Sequence, residues 1–296
     1  MICITNVKFS YFLMILNKAA LITEGGGFRT IFTAGVLDAF IVNQYNPFTH
    51  YLGVSGGALT LSSYLVGLYR KNYEVTIETA SNDKFLSLRR YINGGNYMDL
   101  NVLFNIAQYK NPFIPEEAIK LLNGKLFVIV CTNVNDGSPT YFHPTADNWL
   151  DCLKASSSLP LLTRNPIIID DEPFLDGGFS DPLPVDKAIE LGAESILIIR
   201  TRPESYNSKG DFDRIIGSFI YRDDPIYKQI TVGSYSIYRE KVKRIKELIN
   251  EGISIHQISP NVPLKTERTN FSNGTLNHDY RLGLELGLDF LYRKNR

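Results

Sequence analysis

Apolar and polar positions along this chain sort into short continuous apolar runs separated by longer segments of helical spacing. The runs cover residues 19–23, 51–54, 126–132 and 195–199. A continuous run this short, bounded by glycine or polar residues, predicts a strand buried on both faces. Between the runs, residues 30–44 carry Ile31, Ala34, Leu37 and Ile41 on one helical face, and residues 56–69 are apolar on most sides. Both segments predict helices. Residues 74–122 predict mostly helix, broken at Asn93-Gly94-Gly95 and Asn111-Pro112, and stand as an insertion beside the sheet.

The second half continues the alternation. A strand over 140–143 is expected to pair with 126–132, and a short helix spans 149–155. Short strands at 167–169 and 173–175 flank the Asp170-Asp171 turn. Helices follow over 185–191, 211–221, 226–250 and 281–296, with a last strand over 253–258. The pattern implies a mostly parallel sheet with helices on both faces. No linker or repeat divides the chain, so residues 14–296 read as one domain. Residues 1–13 are apolar but interrupted by Asn6, Lys8 and Ser10, with no basic leader and no small-residue cleavage site. They read as a loose arm or an overextended start ahead of Met14 rather than a signal peptide.

Charge and cysteine content narrow the function. The 31 basic residues of the 296-residue chain balance 31 acidic ones, which argues against a general nucleic-acid binder. Three cysteines, Cys3, Cys131 and Cys152, form no C-x-x-C pair. A disulfide framework or structural zinc is not expected, and a cytoplasmic setting fits. No run reaches the roughly 18 apolar residues of a membrane span.

Three glycine-flanked segments could carry chemistry. Gly53-Val54-Ser55-Gly56-Gly57 is a G-x-S-x-G pattern between a predicted strand and a predicted helix, where a nucleophile elbow belongs. Ser55 would stand at a helix N-terminus, where partial positive charge favours a developing anion. Read blandly, it is a strand-to-helix turn capped by serine. Glu24-Gly25-Gly26-Gly27-Phe28-Arg29-Thr30 follows the first strand, and its consecutive glycines can present backbone amides to an anion. It is neither a P-loop nor a good dinucleotide fingerprint, because the last glycine of the latter would fall at Thr30. Asp176-Gly177-Gly178 follows a short strand and by itself is a turn. All three lie at the carboxyl ends of strands, the edge where open α/β sheets place their sites.

Taken in order, GGGFR at 25–29, GVL at 35–37, GVSGG at 53–57, ASSSLP at 155–160 and DGG at 176–178 resemble the patatin-like phospholipase family. The resemblance covers roughly residues 19–200. It implies a three-layer α/β/α fold and a serine acyl hydrolase that needs no metal or cofactor. Ser55 matches the nucleophile and Asp176 the base. Gly25, Gly26 and Gly27 match the oxyanion loop, with Arg29 at a basic position of that motif, and Gly53 and Gly57 flank the nucleophile. Thr30 stands where the family often has glycine, and Asp181 where many members have asparagine. The implied substrate is a lipid ester, with phospholipid or lysophospholipid first.

A Ser-Asp dyad is chemically coherent. A serine hydroxyl becomes a useful nucleophile when a neighbour accepts its proton. A carboxylate near its ordinary pKa of about 3.9 is a weak base, and burial improves the match. Two rivals stand beside this reading. One is a Ser-Asp-His esterase with His256, or His278, as base, since both follow Asp176 in the chain. The other is an anion-binding module without turnover. Lys241-Val242-Lys243-Arg244-Ile245-Lys246 could touch anionic headgroups at a membrane surface or form a solvated helix face. The insertion, with Tyr97, Met98, Phe104 and Tyr109, could wall an acyl-chain pocket or simply pack as core.

Overall fold

A computed structural model describes residues 18–110, 112–206 and 224–294. The expectations for residues 1–13 and for a helix over 211–221 lie outside them. The strands are β1 (Ala19–Thr23), β2 (His50–Val54), β3 (Leu126–Asn133), β4 (Pro139–Phe142), β5 (Ile167–Ile169), β6 (Glu172–Asp176), β7 (Ser195–Ile199) and β8 (Ser254–Ile258). They form one sheet in the order β5-β6-β3-β2-β1-β7-β8, with β4 also paired to β3. The steps from β3 through β2, β1 and β7 to β8 are parallel. β4, β5 and β6 add antiparallel pairings at one side.

The strands separate two apolar layers because successive side chains leave opposite faces. Leu21, Phe127, Ile129, Leu197 and Ile199 enter one core, and Ala20, Ile22, Val128, Ile196 and Ile198 enter the other. The first layer is covered by α1 (Thr30–Val42), α2 (Gly56–Leu65), α3 (Lys71–Ala80), α5 (Leu100–Lys110), α6 (Pro115–Leu122) and α7 (Trp149–Ser156), whereas the short α4 (Leu88–Ile92), between α3 and α5 in the chain, buries no side chain. The second is covered by α8 (Val185–Glu190) and α9 (Pro225–Asn250), through Val185, Ala188, Tyr238, Ile245 and Leu248. The arrangement is the three-layer α/β/α fold that the alternation predicts.

The last helix, α10 (Asn273–Lys294), packs along α1. It begins eight residues before the predicted start at 281. The polar Asn273, Asn277 and His278 obscure the spacing, whereas Leu276, Asp279 and Tyr280 are buried. Contact between the two helices is close enough that a β-carbon on Gly35 would lie 2.2 Å from the Tyr280 carbonyl oxygen, and one on Gly283 2.1 Å from that of Phe32. Asp38 is tolerated on this buried face because Tyr280 Oη donates to it at 2.7 Å and the Arg70 amide at 3.0 Å. α2 stops at Leu65 rather than at 69, where Gly67 turns to φ 70° and its amide bonds the Tyr64 carbonyl.

Candidate active site

β2 ends at Val54, opposite Val130 of β3, and the next residue, Ser55, opens the turn into α2. Ser55 takes φ 56° and ψ −134°, a conformation that costs a non-glycine residue about 1–3 kcal/mol. The turn closes because its flanking glycines lack side chains. A β-carbon on Gly57 would fall 2.5 Å from the Thr23 carbonyl oxygen, and one on Gly53 2.5 Å from the Ala58 Cα.

β3 brings the second half of the site to the same place. β6 pairs with it through Asp176 opposite Cys131, one residue beyond the Val54–Val130 pair. Ser55 Oγ donates to Asp176 Oδ2 at 2.5 Å. The other carboxylate oxygen, Oδ1, accepts from the Gly178 amide at 2.8 Å. Both residues are buried. Burial pushes Asp176 up from its ordinary range to about 6, against the Ser55 hydroxyl, the Gly178 amide and the charge of Arg268, all of which favour the anion.

Residues that sequence reasoning did not assign hold the pair in register. The Ser55 amide donates to Ser156 Oγ at 2.8 Å, and that hydroxyl donates to the Val130 carbonyl at 2.6 Å. The Asp176 amide bonds the Ser158 carbonyl at 2.9 Å, and Thr132 Oγ1 donates to the Asp176 carbonyl at 2.8 Å. The available signal was the serine run at 156–158 directly after a short helix.

The glycine loop lies against Ser55. A β-carbon on Gly25 would stand 2.8 Å from Ser55 Cβ. Gly27 adopts φ 57°, which favours glycine. The amides of Gly25 and Gly26 have no acceptor among the described residues. Thr30 folds its hydroxyl back onto the Gly27 carbonyl at 2.8 Å, so it caps the loop from within. The Arg29 side chain makes no hydrogen bond or ion pair among the described residues, and its Nε is buried. Burial, then the charges of Arg202 and Arg268, lower its pKa to about 9.

Two cavities open from Ser55. One, of about 120 Å³, is lined by Phe85, Met98, Leu100, Leu103, Phe104 and Phe113 among others. The other, of about 420 Å³, is lined by Asp176, the glycine loop, Arg29, Arg202 and Arg268, with Tyr238. Arg202 and Arg268 had not been singled out. Arg202 carried a signal, since charged residues directly following the apolar run 195–199 sit at the sheet's carboxyl edge.

Other expectations are corrected. His256 is exposed on β8, in register with Leu197. Three strand steps separate it from β2, about 14 Å, so it is not beside Ser55. His278 lies on α10 and bonds Asp279 Oδ1 at 2.9 Å. In the basic stretch, Lys241 Nζ meets Asp181 at 3.3 Å and Asp186 at 3.2 Å, and Arg244 Nε bonds Asp186 at 2.9 Å. Those two charges tie α9 to the body of the fold. Asp181 is thereby accommodated in a buried position, with Tyr141 Oη donating to it at 2.7 Å. In the insertion, Met98 and Phe104 line the apolar cavity, whereas Tyr109 is exposed. No group of three or more His, Cys, Asp or Glu side chains among the described residues could hold a metal. No described helix is long and apolar enough to cross a membrane.

Comparison with known proteins places this arrangement. The family model for patatin-like phospholipase matches residues 21–189, more than half of the chain. The chain belongs to the patatin-like phospholipase family. A relative, the uncharacterized protein YjjU of Escherichia coli (strain K12), is 34% identical over 280 residues, covering 93% of this chain and 77% of that protein. The crystal structure of VipD from Legionella pneumophila is similar in fold, with a TM-score of 0.52 at 12% identity, over 94% of this chain and 67% of that one. The patatin-like region ends before α9. A second family model, a domain of unknown function (DUF6363), matches residues 229–295, which include most of α9, all of β8 and α10, and Arg268.

Proposed function

We propose that this protein is a serine-dependent lipid acyl hydrolase that cleaves carboxylic esters through a Ser55-Asp176 dyad. The observation that carries the reading is the 2.5 Å contact between Ser55 Oγ and Asp176 Oδ2 at the junction of an apolar and a polar cavity. Membership of a family of lipid ester hydrolases supports it. Ser55 Oγ attacks the ester carbonyl carbon as its proton passes to Asp176. The Gly25 and Gly26 amides meet the developing oxyanion, a contribution worth about 3 kcal/mol per donor. Collapse expels the alcohol, which takes the proton from Asp176, and leaves an acyl group on Ser55. Water, deprotonated by Asp176, then releases the acid. A base near pKa 6 suits this work better than an ordinary aspartate. The apolar cavity takes the acyl chain, and the polar one takes the alcohol portion of a phospholipid or lysophospholipid. The two matched segments meet beside the site, where Phe28 of the glycine loop donates its amide to the Arg268 carbonyl at 3.4 Å.

The test is turnover of p-nitrophenyl esters of graded chain length, with fluorophosphonate labelling of Ser55. Wild type should label and hydrolyse, whereas Ser55→Ala should do neither. A folded wild type that is silent in both assays points instead to an anion-binding module without turnover.

A further inference from the structure

Glu24 and Thr201 are buried beside the glycine loop, and the steps of ester cleavage use neither. A buried carboxylate is costly unless its oxygens are matched. Glu24 Oε2 accepts the Thr201 amide at 2.7 Å, and Oε1 lies 3.6 Å from Arg202 Nη1. Thr201 Oγ1 in turn donates to the Gly25 carbonyl at 2.8 Å. The carboxylate therefore holds the backbone of Thr201, and the Thr201 hydroxyl holds the Gly25–Gly26 peptide. This closes a ring across the ends of β1 and β7, where the Glu24 amide already bonds the Ile199 carbonyl at 3.0 Å.

The loop passes between Ser55 and Thr201 with no slack. A β-carbon on Gly25 would stand 2.8 Å from Ser55 Cβ, and one on Gly26 2.8 Å from Thr201 Oγ1. The Gly25–Gly26 peptide is trans, so its N–H points opposite to its C=O. A hydroxyl that captures the Gly25 carbonyl on the Thr201 side turns the Gly26 amide toward the Ser55 side. The same hydrogen bond polarises the peptide and makes that amide a stronger donor.

We propose that Thr201 and Glu24 are positioning residues that aim the Gly26 amide at the oxyanion, and that the C-terminal segment holds this clamp closed through Tyr238. The inference rests on the acyl-hydrolase reading for the use made of the loop, and on the geometry alone for the clamp. Arg202 is the link. Its guanidinium lies 4.5 Å from the centre of the Tyr238 ring and 4.7 Å from that of Tyr206, and the two rings meet edge to face at 83°. A planar guanidinium against aromatic rings keeps its orientation, so its Nη1 stays on Glu24. The Tyr238 hydroxyl is itself anchored, accepting from Arg200 Nη2 at 3.0 Å. Tyr238 belongs to α9, within residues 229–295. Asp176 stands outside this chain of contacts, bonded to Ser55 and to the Gly178 amide, so the base and the oxyanion donor are held by separate groups.

The experiment sets Thr201→Val, which removes only the donor, beside Thr201→Ser and wild type in the full chain. Each is assayed on p-nitrophenyl butyrate and for inhibition by a trifluoromethyl ketone, whose adduct with Ser55 carries an oxyanion. Thr201→Val should lower kcat and kcat/KM together by about tenfold to a hundredfold, with KM unchanged. Ketone inhibition should weaken by the same factor, and Thr201→Ser should restore most of both. The midpoint of the pH profile of kcat/KM should not move, because Asp176 is untouched. Glu24→Gln keeps an acceptor for the Thr201 amide but drops the charge beside Arg202, and Tyr238→Leu removes the ring. Each should produce a smaller loss of about threefold to tenfold in the same two quantities. Thermal melts check every fold, and Glu24→Gln carries the test if Thr201→Val does not fold. Unchanged kcat and ketone inhibition in Thr201→Val overturn the proposal, as does a loss confined to KM or a shifted pH midpoint. Unchanged inhibition in Tyr238→Leu overturns the part given to the C-terminal segment. A wild type that neither turns over the ester nor labels with a fluorophosphonate defeats the hydrolase reading instead. A crystal structure of Thr201→Val then decides the clamp alone, with a turned Gly25–Gly26 peptide upholding it and an unmoved one sinking it.

Discussion

The two cavities that meet at Ser55 are built by different means. The apolar one is walled mainly by the helices and connections inserted between β2 and β3, whose side chains Phe85, Met98, Leu103 and Phe104 also belong to the core or pack against it. Its shape is a by-product of packing, and a change of one residue resizes it. The polar one is assembled from loops at the carboxyl ends of β1, β6 and β7 together with a distant C-terminal segment. Its character depends on charges brought together across the whole chain, such as Glu24 and Arg202. On the proposed reading, the difference teaches that preference for acyl length and for the alcohol portion can be tuned separately around Ser55.

Substitutions at the junction should abolish work on both sides at once. Ser55→Ala and Asp176→Asn should each lower kcat/KM by about a thousandfold or more on every ester tested. A loss confined to one substrate class would break the comparison. Narrowing the apolar side alone should separate the two: Leu103→Trp should shift the ratio of long-chain to short-chain p-nitrophenyl ester turnover by about tenfold toward short chains. No shift in that ratio would mean the acyl chain lies elsewhere.

Proton uptake gives a smaller effect that sharpens the junction itself. With Asp176 near 6, kcat/KM should fall about tenfold for each pH unit below that value, as the base is protonated. The linked effect on stability has the opposite sense. The folded chain holds this proton more tightly than the unfolded one, whose aspartate lies near 3.8. Stability therefore declines as pH rises from about 4 to 6 and stays lower above it. Asp176→Asn removes that term. The variant should be more stable than wild type by about 1–3 kcal/mol at pH 8, and the gap should close below pH 4. Thermal melts across that range check the sign. The smallest expected effect is at His256, exposed three strands from β2. His256→Ala should change kcat/KM less than about twofold, and a loss near that of Ser55→Ala would restore a histidine base.

Much of the sheet was legible because parallel strands buried on both faces must be apolar throughout, as in 126–132 and 195–199. The elbow and the glycine loop were legible for a related reason. Backbone passing within van der Waals distance of backbone leaves room only for glycine, as at Gly57 against the Thr23 carbonyl. The start of α10 was less legible, because Asp279 and Tyr280 are polar residues whose partners, such as Asp38, lie far away in sequence.

The sequence by itself determined which residues could be a nucleophile, a base and an anion loop, and that they lie at strand ends, because local backbone geometry restricts residue type within a few positions. Only the tertiary structure decided that β3 aligns Val54 and Asp176 at successive residues, that Ser156 and Ser158 anchor them, and that Arg202 and Arg268 share a cavity with Ser55. Such pairings join residues far apart in the chain, and no local periodicity encodes the register of one strand on another.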